Sequence, residues 1–245
     1  MKRLIILLPY FIIALICAGL VFVSFENSAP QKAENAVAES VPLVILDAGH
    51  GGRDGGAVAQ DGTEEQYINL DVALKLNEEL KNRGYQTLLT RADNDSIHDA
   101  DAQSTRAQKV SDIHNRLKII EAHPDCIFVS IHQNFFTESK YSGAQVFFSP
   151  NNSDSSRLAQ CIQSSVVSAI QPDNTRQIKE SGSSIYLLYH STVPSVLVEC
   201  GFLSNPEETA KLNDENYRAQ MARAVCDGIV NYINGVNTED ASDAA

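Results

Sequence analysis

Short apolar runs alternate with longer amphipathic segments along most of this chain. The short runs predict buried β-strands at 43–46, 85–90, 126–131, 143–149 and 195–199. Apolar residues spaced three or four positions apart predict helices at 65–83, 104–122 and 158–169, and a last helix with Tyr217, Met221, Val225, Ile229 and Tyr232 on one stripe. Residues 185–189 fit either a helix or a strand.

The order of these elements predicts the fold class. Strand and helix alternate between residues 41 and 235, which favours an α/β fold with a mostly parallel twisted sheet. Right-handed crossovers would place helices on both faces of that sheet. We therefore expect a single domain spanning residues 41–235.

The two ends of the chain differ from this domain. An apolar run of 22 residues, 4–25, follows Lys2 and Arg3, so we expect residues 1–25 to be a signal anchor that leaves the domain outside the cytoplasm. Cleavage near residues 36–38 would instead give a secreted protein. Residues 26–40 are small and polar and predict a linker, and the acidic segment 236–245 predicts a disordered tail.

Charge and cysteine usage argue against nucleic-acid binding, a zinc ribbon and a disulfide framework. Lysine and arginine total 19 against 31 acidic residues, a formal charge of −12. Nucleic acid is therefore a poor partner, because phosphate binding needs clustered positive charge. The five cysteines form no CxxC pair, so neither a zinc ribbon nor a disulfide framework is predicted, and the last four are expected to be core residues.

Four side chains that can do chemistry fall at equivalent places in the predicted fold. His50 follows the first strand in a glycine-rich turn, and His132 and Glu199 close two later strands. The carboxyl ends of parallel strands lie at one edge of a sheet, and Glu65 begins a helix that returns from that edge. Two imidazoles and a carboxylate form a catalytic type of zinc site, and Glu199 would be free to accept a proton.

Each of these residues also has a simpler interpretation. His50 could only hydrogen-bond its own turn, and Glu65 could only be a favourable acid in the first turn of a helix. His132 could be a strand-end histidine with ordinary partners, and Glu199 could pair with an arginine. Glu64 competes with Glu65, since the spacing pattern does not separate adjacent residues at a helix start.

Several motifs together resemble the zinc-dependent N-acetylmuramoyl-L-alanine amidases of bacterial cell walls. They are DAGHGGRDGGA at 47–57, EEQYINL at 64–70, LLTR at 88–91, SIHQN at 130–134, SGAQVFF at 142–148 and PSVLVECGFLSNPEE at 194–208. The resemblance covers nearly all of residues 41–235. SGAQ at 142–145, TRQIK at 175–179 and IYLL at 185–188 resemble most the sporulation- and germination-specific cortex amidases.

This resemblance implies roles for individual residues. His50, Glu65 and His132 would bind zinc, and Glu199 would be the catalytic carboxylate. Glu65 is chosen over Glu64 because the family's glutamate stands five positions before the leucine matched by Leu70. Strand alternation would send the next residue, Cys200, to the opposite face, away from the metal.

The implied reaction is hydrolysis of the amide between N-acetylmuramic acid and L-alanine in peptidoglycan, in spore cortex maturation with formation of muramic-δ-lactam. Two alternatives are a non-catalytic module that binds peptidoglycan or a partner, and a zinc peptidase acting within the stem peptide. A regulatory protein partner is also considered. The charged segment 93–105 is either a regulatory or substrate-facing loop or plain solvated surface.

Overall fold

A computed structural model describes residues 41–236. Its strands are β1 (Val44–Ala48), β2 (Thr87–Leu89), β3 (Ile127–Asn134), β4 (Gln145–Phe148), β5 (Lys179–Glu180) and β6 (Ser195–Phe202). Its helices are α1 (Glu65–Asn82), α2 (Thr105–Glu121), α3 (Asp154–Ile170), α4 (Tyr186–His190), α5 (Pro206–Asn213) and α6 (Glu215–Ile233). The predicted α/β class is confirmed.

The strands form one sheet in the order β2-β1-β3-β6-β4-β5. Strands β2, β1, β3 and β6 are parallel to one another, whereas β4 runs antiparallel to β6. Between β3 and β4, residues 135–144 contain no helix, and so short a connection does not make the crossover that parallel strands need. The mostly parallel sheet is therefore as predicted, with a reversed strand beside β6.

Helices cover both faces of the sheet, as predicted. On one face, α1, α3 and α6 pack on the alternate strand residues that include Leu46, Val129 and Val198. On the other face, α2 and α4 pack on the intervening residues, among them Ile45 and Phe128. The four described cysteines are buried with free thiols, as expected of core residues: Cys126, Cys161, Cys200 and Cys226.

Several elements differ from the sequence-based prediction. Strands β3 and β6 each continue three residues past their predicted ends, because ladder pairing extends beyond the apolar runs. Residues 186–190 are a helix, which settles the ambiguity. Helix α5 was not predicted, because eight residues are too short to show a helical period, although its start is well marked. The Asn205 side chain caps it by accepting hydrogen bonds from the backbone N–H groups of Glu207 and Glu208.

The predicted location, a membrane-anchored protein, needs correction. Among residues 41–236, no helix is both long enough and apolar enough to cross a membrane. The physical reason is that the longest helices, α1 and α6, are amphipathic and carry charged side chains on their outer faces. Residues 1–25, 26–40 and 237–245, which carried the predictions of an anchor, a linker and an acidic tail, lie outside the described part of the chain.

Candidate metal centre

The pairing of β3 with β6 places His132 next to Glu199. The two residues are direct partners in this parallel pair, so their side chains leave the same face of the sheet. That face is the one covered by α2 and α4. Cys200 instead belongs to the core on the opposite face, as strand alternation predicted.

The turn after β1 holds His50 in an unusual backbone conformation. His50 has φ 63°, and it is the one non-glycine residue with positive φ between residues 41 and 236. Such a conformation is strained and persists only where its surroundings enforce it. Two buried arginines do so: Arg91 Nε donates to the carbonyl of Ala48 at 2.9 Å, and Arg116 Nη2 donates to the carbonyl of His50 at 2.6 Å.

Glu65, the first residue of α1, lies between the two imidazoles. Its Oε1 is 2.9 Å from Nδ1 of His132, and its Oε2 is 3.2 Å from Nε2 of His50. The carboxylate also accepts hydrogen bonds from the backbone N–H groups of Ala57 and Gln133. Glu64 instead accepts a hydrogen bond from the side chain of Gln66. The structure thus brings Glu65, not Glu64, into the cluster.

His50, Glu65 and His132 each offer one ligand atom, and these three atoms lie within 4.8 Å of one another. The two imidazole rings are 4.9 Å apart, with their planes at 74°. Gly49 permits this approach, since a Cβ atom at that position would lie 2.2 Å from Nε2 of His132. A convergent set of two imidazoles and one carboxylate fits the three protein ligands of a catalytic zinc site.

The charges of these groups are coupled. Burial by itself would lower the pKa of His50, but its hydrogen bonds and charge interactions with Asp54 and Glu65 raise that pKa to about 9. Burial would raise the pKa of Glu65, yet the two imidazoles hold it well below its ordinary value. The Glu65 carboxylate therefore stays ionised, as a metal ligand must, and a bound metal would displace the proton that His50 carries at neutral pH.

Glu199 has a different environment from Glu65. Its Oε2 atom is buried and has no hydrogen-bond partner among residues 41–236. Burial is the main reason that the pKa of Glu199 is raised to about 7. A carboxylate with a pKa near neutral pH is suited to accept a proton and give it back, which is the behaviour of a general base.

Sequence analysis missed several residues that support this cluster. Asp54 Oδ2 lies 3.0 Å from Nδ1 of His50 and orients that ring. Arg116 forms a buried ion pair with Asp47 and a second with Asp112, which ties α2 to the end of β1. The spacing of four between His50 and Asp54 was visible in the sequence, whereas the partners of Arg116 are too far apart in the chain to show any pattern.

Comparison with known proteins decides the family. The family model described as N-acetylmuramoyl-L-alanine amidase matches residues 44–231. The chain belongs to this family. The matched range includes the whole sheet and the residues His50, Glu65, His132 and Glu199. As a family member, this amidase acts on the N-acetylmuramoyl-L-alanine bond of peptidoglycan.

Individual relatives support the assignment. The germination-specific N-acetylmuramoyl-L-alanine amidase of Bacillus subtilis (strain 168) is 32% identical over 190 residues, covering 78% of this amidase and 79% of that protein. The CwlD amidase of Clostridioides difficile, solved in complex with the GerS lipoprotein, is 41% identical with TM-score 0.76, covering 79% of this chain and 99% of that one. The AmiC2 amidase of Nostoc punctiforme is 27% identical with TM-score 0.68, over 79% and 97% of the two chains.

Proposed function

We propose that this amidase uses a zinc ion held by His50, Glu65 and His132, with Glu199 as its catalytic carboxylate. The observation that carries the proposal is the convergence of three ligand atoms within 4.8 Å beside a buried carboxylate oxygen that has no partner in the described chain. A buried polar atom without a partner is unusual and is accounted for where a ligand or substrate completes the site.

The chemistry divides between the metal and the protein. A zinc ion at such a site polarises a carbonyl group and lowers the pKa of water toward about 7. Glu199, next to His132 in the sheet, accepts a proton from the attacking water and returns it to the leaving amine of L-alanine. Asp54 holds the His50 ring, and the Arg91 and Arg116 side chains keep the His50 turn in place.

Two alternatives make different predictions. A non-catalytic module would have no need for Glu199 to remain without a partner beside a complete ligand set. A zinc peptidase acting within the stem peptide would share the ligands and would cut a different bond. The family match favours the amidase over both.

Mass spectrometry of peptidoglycan digested with the purified protein, with and without a chelator, tests the proposal. The amidase leaves muramic acid with a free lactyl carboxylate and releases a peptide that begins with L-alanine. Release should stop when the chelator is added and return with zinc. Fragments cut inside the stem peptide would show a peptidase, and no fragments at all would show a binding module.

We also propose a role in spore cortex maturation, in which removal of the stem peptide precedes muramic-δ-lactam formation. Support comes from the similarity to the germination-specific amidase and to CwlD. Because CwlD was solved in complex with the GerS lipoprotein, a protein partner is part of this proposal. Deletion of the coding sequence should remove muramic-δ-lactam from purified cortex, and unchanged lactam content would contradict the role.

We propose, finally, that residues 41–235 are the catalytic domain. The family match at 44–231 and both hydrophobic cores fall within this range.

A further inference from the structure

A cationic side chain lies near the site on the side of β4. Gln145, the first residue of β4, is paired directly opposite Glu199 in the antiparallel β4/β6 pair. Residues opposite each other in such a pair project from the same face of the sheet. The Oε1 atom of Gln145 accepts a hydrogen bond of 3.2 Å from Nη1 of Arg176. Arg176 therefore lies one strand beyond Glu199, bonded to a side chain on the same face.

Arg176 is held firmly in this place. Its Nε donates to the carbonyl of Ser142 at 2.7 Å. The guanidinium carbon lies 4.5 Å from the ring centroid of Phe202 and 6.0 Å from that of Tyr141. A guanidinium fixed against aromatic rings loses little further freedom when it binds a ligand.

The charge of Arg176 is not neutralised within residues 41–236. A guanidinium has five N–H donors, and in the described chain only two of those of Arg176 have partners, both of them uncharged. Other arginines of this acidic protein form ion pairs, for example Arg83 with Asp227 and Arg218 with Asp71. The remaining N–H groups of the Arg176 guanidinium are thus held in a fixed orientation and are available to a carboxylate from outside the chain.

The cavity lined by Arg176 has no net charge that would attract anions. It has a volume of about 720 Å³, and its charged side chains balance, three cations against three carboxylates: Lys140, Arg176, Lys211, Asp173, Glu207 and Glu208. The Glu208 carboxylate is already used, because it accepts hydrogen bonds from the backbone N–H groups of Gly143 and Phe202. Recognition of an anion here must therefore come from the fixed guanidinium and not from the general field.

The side of the site toward α2 and α4 is more apolar than the side that carries Arg176. The cavity that contains His50 and His132, about 330 Å³, has an apolar wall formed by Val110, Ile113 and Leu187 of α2 and α4. The substrate is equally asymmetric about the bond that is cut. A sugar with its lactyl group lies on one side of that amide, and a peptide that carries carboxylates lies on the other.

We propose that Arg176 binds a carboxylate of the stem peptide and so determines which way the substrate lies across the site. The peptide then extends over β4, and the sugar lies toward α2 and α4. The inference rests on the proposed function, since it names a specificity-determining residue for that reaction. Arginine suits this task because its planar fork can bind a carboxylate through two parallel hydrogen bonds.

Two synthetic muramyl peptides test the inference. They differ only in the residue after L-alanine, which carries either a free carboxylate or a carboxamide. A hydrogen-bonded charge pair of this type changes kcat/KM by a factor of about ten to a hundred, so the wild type should prefer the carboxylate by that factor. Arg176→Gln should bring the preference close to one, mainly through KM, and Arg176→Lys should keep part of it.

Arg157→Gln is the matched control. Arg157 also stacks on an aromatic ring, 4.0 Å from the centroid of Tyr232, and donates to a backbone carbonyl, but it lies between α3 and α6 on the other face of the sheet. The Arg157→Gln variant should prefer the carboxylate substrate over the carboxamide substrate by the same factor as the wild type. Thermal melting of each variant establishes that it is folded.

The inference is overturned if the wild type cleaves both substrates equally well, or if folded Arg176→Gln keeps the wild-type preference. An equal fall in kcat/KM for both substrates would also overturn it, since that result shows a structural role. A wild type that releases no peptide from either substrate would contradict the proposed function instead. The two failures are therefore distinguishable.

Discussion

At the scale of single residues, Gly49 sets how closely His132 approaches the turn after β1. Its backbone lies outside the positive-φ region, so alanine fits the backbone, yet the added Cβ would lie 2.2 Å from Nε2 of His132. Gly49→Ala should displace the imidazole and lower both the zinc content and the amidase rate, the rate by about a hundredfold. Elemental analysis and a peptide-release assay measure the two effects.

The control for this change is Gly182→Ala, whose added Cβ would meet nothing within 4 Å and whose φ is not positive. It should keep full zinc content and activity. Full activity in Gly49→Ala would contradict this prediction, because it would show that the His132 ring can move aside to make room for the added Cβ.

The proposed role of Glu199 as general base and the proposed roles of His50, Glu65 and His132 as metal ligands can be distinguished by experiment. Glu199→Gln should lower the rate of peptide release by about 10² to 10⁴, the usual contribution of a general base, while the zinc content stays unchanged. Glu121→Gln, at the exposed end of α2, is the control and should be fully active. If the Glu199 variant lost its zinc, Glu199 would be a ligand and the assignment of roles would be wrong.

Residue roles were only partly predictable from sequence. His50, His132 and Glu199 stand out because polar side chains follow buried strands, and the structure brings them together with Glu65. Glu65 was separated from Glu64 by family resemblance and not by pattern. Arg116 was missed because its importance lies in the backbone carbonyls and carboxylates that it meets across the fold.

At the scale of elements, the register of β3 against β6 decides the geometry of the site. His132 and Glu199 are neighbours only because they are partners in this register, and a shift of one residue would turn Glu199 toward the opposite core. Sequence pattern predicted both strands and the shared edge. It could not predict the register or the irregularity between His132 and Asn134, since pairing depends on contacts between distant segments.

The ion pair between Arg116 of α2 and Asp47 of β1 should make the stability of the fold depend on pH. Burial would raise the pKa of Asp47, but Arg116, Ser130 and Thr90 outweigh it and lower the pKa to about 2. A lowered pKa in the folded state stabilises the protein above the ordinary pKa of about 3.8, and this stabilisation is lost as the pH falls through 2. The contribution is about 2 kcal/mol.

Urea unfolding of the wild type and of Asp47→Asn between pH 5 and pH 2 measures this contribution. The variant should be less stable at pH 5, because it leaves a buried guanidinium without one of its partners. The difference in the free energy of unfolding should shrink by about 2 kcal/mol toward pH 2. Asp125→Asn, an exposed position, should show no such trend, and a constant difference for Asp47→Asn would refute the explanation.

At the scale of the whole molecule, the fold class could be predicted from the alternation of strands and helices, but the order of the strands in the sheet could not. The sheet continues past β6 into the antiparallel β4 and the two-residue β5, and this extension carries Gln145 close to Arg176. Short edge strands have too few residues for a period. The shape of the site on that side therefore needed the structure.

Zinc should stabilise the entire domain, because its proposed ligands come from the turn after β1, the start of α1 and the C-terminal half of β3. These segments meet only in the folded chain, so the metal binds the native state and not the unfolded one. At a free zinc concentration a hundred times Kd, the stabilisation is about 2.7 kcal/mol, which for a domain of this size raises Tm by roughly 5 to 10 °C. Thermal melting after chelation and after zinc addition measures the shift. His132→Ala should melt at the same temperature with and without zinc, and an equal shift in that variant would place the metal elsewhere on the protein.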